Sequence, residues 1–80
     1  MNDEIRITVK LFAQYRENRF KVHKFTYPAG ITAGDVIVNT DVDIGKYPLG
    51  ILMANGRHIK DDYILKDGDV IAIFPKVGGG

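Results

Sequence analysis

Few residues in this 80-residue chain are equipped for chemistry. It contains no cysteine and no serine, so neither a thiol nor a serine hydroxyl can act as nucleophile, and no disulfide can brace the fold. The two histidines, His23 and His58, are far apart and have no cysteine or HExxH spacing beside them, so the pattern does not point to zinc. Asp67-Gly68-Asp69 has too few carboxylates, badly spaced, for a calcium loop. Asp61-Asp62 reads as a solvated turn rather than an acid–base pair. Gly78-Gly79-Gly80 precede no helix and so do not form a phosphate cradle. The terminus itself remains. Glycines cost backbone entropy to order and add nothing to a fold. A chain without Cβ atoms can, however, thread a narrow channel in another protein and deliver a carboxylate, that of Gly80, to its active site. On the glycines alone, a frayed end or an artificial extension reads equally well.

A delivering tail needs a rigid base, and the rest of the chain reads as one: a single domain over residues 1–75, with residues 76–80 as a flexible glycine tail. Ile5, Ile7, Val9 and Leu11 alternate with Arg6, Thr8 and Lys10, the period of a half-buried strand. Residues 20–27 repeat the pattern more loosely, with Phe20 and Val22, then Phe25 and Tyr27. The change of parity near His23 predicts a bulge or a strand end. The polar stretch Gln14–Arg19 fits the connection of a hairpin.

After Pro28-Ala29-Gly30, Thr32 and Asp35 have the spacing of a capping pair and predict a short helix over 32–39. Gly34 and the β-branched Val36, Ile37 and Val38 oppose that helix locally, so tertiary contacts must hold it. Residues 40–49 read as a loop. Ile51–Ala54, the turn Asn55-Gly56 and Arg57–Lys60 predict a hairpin. Asp61–Leu65 is a turn or 3₁₀ segment, Asp67–Asp69 a further turn, and Val70–Phe74 the last strand, closed by Pro75. This order predicts an α+β roll of β-grasp type: a mixed four- to five-stranded sheet with one short helix packed on one face.

Composition narrows the partners. Net charge is +1, which argues against nucleic acid as the main partner. The charge is uneven: residues 1–27 carry three surplus positive charges and residues 28–80 two surplus negative ones, which reads as two solvated faces or as a bias towards an acidic partner. No apolar run is long enough to span a membrane, and the polar start Met-Asn-Asp-Glu is unlike a secretory signal; a cytoplasmic location is the expectation.

Three stretches resemble the MoaD/ThiS family of ubiquitin-like sulfur carriers. Leu11-Phe12-Ala13-Gln14-Tyr15-Arg16-Glu17 is similar to the family's L-F-A-x-x-R-E, Leu65-Lys66-Asp67-Gly68-Asp69-Val70 to its L-x-D-G-D-x turn, and Phe74-Pro75-Lys76-Val77-Gly78-Gly79-Gly80 to its F-P-P-V-x-G-G end. They occur in order and cover nearly the whole chain. Lys76 departs from the usual second proline, Gly78 adds a third glycine, and Ala54 stands where valine often precedes the Asn-Gly turn.

The resemblance implies that an adenylyltransferase like ubiquitin-activating enzymes uses ATP to adenylate the Gly80 carboxylate. A desulfurase or rhodanese then supplies sulfur, AMP leaves, and a thiocarboxylate remains. The chain itself binds no cofactor in this scheme. Within the family the likeness is strongest to the small subunit of molybdopterin synthase, whose tail enters the large subunit and gives sulfur to a pterin precursor. Thiamine or another thiolation route, a protein modifier and a passive binding module are the alternatives. By this analogy Gly80 and Gly79 are the working end. Phe12, Phe74, Pro75, Lys76, Val77 and Gly78 form the expected partner-binding surface. The strand pattern independently sends Phe12 and Phe74 to the outer sheet face, where neighbouring strands would make them an exposed apolar patch beside the tail.

Overall fold

The computed structural model describes residues 3–76; Val77, Gly78, Gly79 and Gly80 lie outside the described residues. The alternation at the start of the chain forms β1 (Glu4–Leu11), with Ile5, Ile7, Val9 and Leu11 all buried on one face. β1 pairs antiparallel with β2 (Val22–Pro28) in unbroken register from Lys10↔Val22 to Glu4↔Pro28. The parity change near His23 is therefore a strand end, with Phe20 lying before β2, and not a bulge. The hairpin connection holds a 3₁₀ turn, Ala13–Arg16, whose Tyr15 is buried in the core.

The remaining strands are β3 (Leu49–Ala54), β4 (Arg57–His58) and β5 (Val70–Pro75). They complete a five-stranded sheet in the order β2-β1-β5-β3-β4. β5 runs parallel to β1 and antiparallel to β3, so the first and last strands are central neighbours. β4 is shorter than the expected Arg57–Lys60, because its pairing with β3 is confined to Met53↔His58 and Ala54↔Arg57. The Asn55-Gly56 turn has φ of 53° and 81°, the two positive values its residue types allow at low cost. This is the β-grasp, ubiquitin-like plan.

Helix α1 (Ala33–Thr40) covers the inner face with Ala33, Val36 and Ile37, which join Ile71, Ile73 and Leu52 in one core. Its weak propensity is offset at its start. Asp35 donates its N–H to Thr32 Oγ1 at 3.2 Å, and the Thr32 N–H donates to Asp35 Oδ2 at 3.0 Å. The Thr32 backbone and hydroxyl donors hold the Asp35 carboxyl below its ordinary range. Two more first-turn donors reach across the chain: Ala33 N–H to the Tyr63 carbonyl at 2.9 Å and Gly34 N–H to the Asp61 carbonyl at 2.8 Å. Gly34 permits that approach, since a Cβ there would sit 3.1 Å from the Asp61 oxygen.

Candidate functional site at the tail exit

Along β5 the side chains alternate, with Ile71 and Ile73 buried inward and Val70, Ala72 and Phe74 on the outer face. Leu11 is the last inward residue of β1, so Phe12 turns outward, and its N–H donates to the Ile73 carbonyl at 3.2 Å. These two constraints bring the aromatic pair together: the Phe12 and Phe74 rings stack with centroids 4.0 Å apart and planes 11° from parallel. The Arg16 guanidinium carbon lies 5.3 Å from the Phe12 centroid, and Arg16 Nε donates to the Leu11 carbonyl at 3.1 Å. The expected exposed patch is thus corrected to a half-buried one, because each phenylalanine covers a face of the other. Ile51, the register partner of Phe74, is 41% exposed and extends the apolar strip on to β3.

Below this strip the chain leaves the sheet. Pairing of β5 with β1 ends at Leu11↔Ile73, so from Phe74 onward the strand partner of β5 among the described residues is β3. Pro75 pairs with Leu49 and is buried. Lys76, assigned to the tail from sequence, is exposed, yet its N–H donates to the Pro48 carbonyl at 2.6 Å. Val77, Gly78, Gly79 and Gly80, the rest of the expected site, lie outside the described residues.

The conventional groups dismissed from sequence have structural employment. Asp69 is buried and accepts from Asn55 Nδ2 at 2.8 Å, the Lys66 N–H at 2.9 Å and the Tyr63 hydroxyl at 3.3 Å. Asn55 Oδ1 in turn accepts from the Val70 N–H at 2.9 Å. Desolvation, with the Asp69 charge, raises the Tyr63 phenol above its ordinary value. Asp67 accepts from the Arg6 N–H at 2.7 Å. His23 sits edge-on to Phe25 with centroids 4.7 Å apart, in an aromatic row that continues to Tyr27. Among the described residues no three histidine or carboxylate side chains converge on a metal position. A groove of about 710 Å³ lies away from the exit, beside the Asn55 turn and β4.

Sequence reasoning passed over Asp69 as a mere turn residue and Gly50 altogether. The available signal for Gly50 was a lone glycine between apolar strand residues, which often marks a bulge or a close backbone approach. The register does shift between Leu49 and Ile51, placing Gly50 at that irregularity.

A family model described as the ThiS family matches residues 9–80. The chain belongs to the ThiS family. Its fold is shared with several solved structures. A Pyrococcus furiosus protein provisionally assigned as molybdopterin converting factor subunit 1 is 26% identical, with a TM-score of 0.75 over 91% of this chain and 99% of that one. Small archaeal modifier protein 1 from Haloferax volcanii is 20% identical, with a TM-score of 0.71 over 91% and 99% of the two chains. A chain from the complex of subunits 1 and 2 of the Helicobacter pylori molybdopterin-converting factor is 24% identical, with a TM-score of 0.59 over 95% and 100%. No curated protein sequence matches the chain significantly. Among the described residues of this ThiS-family domain, no helix is long and apolar enough to cross a membrane.

Proposed function

We propose that this ThiS-family chain is the sulfur-carrying small subunit of a molybdopterin synthase, with sulfur held as a thiocarboxylate on Gly80. The observation that carries the reading is the family match, which runs through the Gly-Gly end to residue 80. The 26% identity to a protein provisionally assigned as molybdopterin converting factor subunit 1 favours this pathway, and the Helicobacter pylori complex supports a second, larger subunit as partner. In this scheme the Gly80 carboxylate attacks the α-phosphorus of ATP in an activating enzyme and pyrophosphate leaves. The outer sulfur of a persulfide on a desulfurase or rhodanese attacks the acyl carbon and AMP leaves. A thiol of that donor then attacks the inner sulfur of the resulting acyl disulfide, which releases the Gly80 thiocarboxylate and leaves a disulfide on the donor. The stacked Phe12–Phe74 pair, with Ile51, docks the partner while Pro75, Lys76, Val77 and Gly78 lead Gly79 and Gly80 into its active site. ATP and the acid–base groups belong to the partners, which suits a chain whose Asp35, Asp43, Asp67 and Asp69 carboxylates accept bonds from turns and a helix cap.

Intact mass spectrometry of protein from the native host, with fragmentation of the C-terminus, tests the reading. The expected result is one oxygen replaced by sulfur at Gly80, a mass gain close to that of an added oxygen. Fragmentation separates it from oxidation at Met1 or Met53. An unmodified terminus, together with failure of the activating enzyme to adenylate the chain, would overturn it. The likeness of fold to small archaeal modifier protein 1 gives a second reading, conjugation through Gly80 to lysines of target proteins. Its mark would be high-mass conjugates that disappear when Gly80 is deleted.

A further inference from the structure

We propose that Gly50 is a positioning residue that fixes the point from which the tail departs, and so how far Gly80 reaches into a partner; the functional half of this inference rests on the proposed carrier role. The first observation is steric. A Cβ built on Gly50 would lie 2.6 Å from Lys76 Cα, 2.7 Å from Lys76 N and 2.7 Å from the Pro75 carbonyl oxygen. All three are backbone atoms, so no side-chain rotation relieves the clash, and a residue with a side chain at 50 displaces the root of the tail. The positive-φ argument for glycine does not apply here; the close approach alone requires it.

The second observation is the register. β3 advances from Leu49 to Ile51 while β5 steps back only from Pro75 to Phe74, leaving Gly50 as the extra residue of a bulge. The third is the bond from Lys76 N–H to the Pro48 carbonyl, 2.6 Å, which holds the first residue past the strand. Pro48, the Gly50 bulge and Pro75 together form a backbone clamp on Lys76. Four residues follow Lys76. Fully extended they span at most about 14 Å. A docked partner must then place its reacting atoms within that distance of Lys76, and moving the root by an ångström or two misplaces the carboxylate.

Two measurements test this, one on the clamp and one on its use. Trypsin cleaves after Lys76, releasing residues 77–80, and a clamp on Lys76 is expected to slow that cleavage. Gly50→Ala is expected to speed this cleavage at least tenfold, read by mass, relative to Gly45→Ala, whose new Cβ would meet only Asp43 Oδ1 at 3.5 Å. If Gly50→Ala does not fold, amide exchange of the parent chain decides the clamp instead: the Lys76 N–H is expected to exchange at least tenfold more slowly than an unstructured amide. Adenylation by the activating enzyme with ATP then reads the use. Gly50→Ala is expected to lower kcat at least tenfold with KM changed less than twofold, since the nearest atoms that the new Cβ would meet belong to Pro75 and Lys76 and not to Phe12 or Phe74.

Equal trypsin rates in the two variants, or an unprotected Lys76 amide in the parent, would overturn the clamp. Faster cleavage with unchanged kcat would overturn the positioning role. Absence of adenylation in the parent chain would sink the carrier reading and the positioning role with it, while the trypsin arm still decides the clamp.

Discussion

At the Val70 end of β5 the chain is held by polar groups that satisfy one another: Asp69 takes three donors, and Asn55 both donates to Asp69 and accepts from the Val70 N–H. At the Pro75 end Phe74 stacks on Phe12 beside the half-exposed Ile51 of β3, and the Lys76 N–H donates to the Pro48 carbonyl. One end is closed by bonds that are costly to leave unmade. The other keeps apolar surface that the fold does not finish burying, and surface of that kind serves association. On the proposed reading, stability and recognition are separated along one strand.

Four changes test that separation, beginning with the most severe. Deleting Gly79 and Gly80 is expected to abolish sulfur loading while leaving Tm unchanged, because neither residue has a side chain to bury; intact mass and a thermal melt read the two halves. A fall in Tm would tie the tail to the fold and blur the contrast. Asp69→Ala should act oppositely, removing three bonds to a buried carboxylate at a cost of about 3 kcal/mol. For a domain this small that lowers Tm by roughly 15 °C. Partner affinity, measured below the melt, should stay within twofold.

Phe74→Ala comes next. Loss of an aromatic anchor should weaken partner binding by about 2 kcal/mol in a titration, with a smaller fall in folding stability because the ring is only half-buried. Equal losses in binding and folding would make the stack a piece of core that happens to face outward.

The smallest effect concerns Tyr15, in the turn just after Phe12. Its hydroxyl donates to the Tyr47 carbonyl at 2.5 Å, and burial, with Asp43 adding, raises its phenol above the ordinary 10.0. The folded form therefore favours the neutral phenol. Its contribution is complete below pH 10 and is lost as the unfolded chain ionises above that value. Tyr15→Phe should cost about 1 kcal/mol at neutral pH and flatten the stability decline above pH 10 in denaturant titrations. An unchanged alkaline slope would assign that decline elsewhere, with Tyr27, also raised by burial, the next group to replace.

Alternation alone identified the inner faces of β1 and β5, since a period of two is written into neighbouring residues and needs no partner to be read. The Asn55-Gly56 turn and the Thr32–Asp35 cap were legible for the same reason: each is complete within four residues. The motifs around Phe12, Asp67 and the glycine end were likewise legible as a family resemblance. Tertiary structure decided the rest. α1 holds because carbonyls of Asp61 and Tyr63 reach its first turn, and Gly34 gives them room. Phe12 and Phe74 stack because a parallel pairing joins the first strand to the last. Gly50 matters because the Lys76 backbone passes where its side chain would be. Each depends on the distance between backbones far apart in sequence, and local pattern carries no record of that distance.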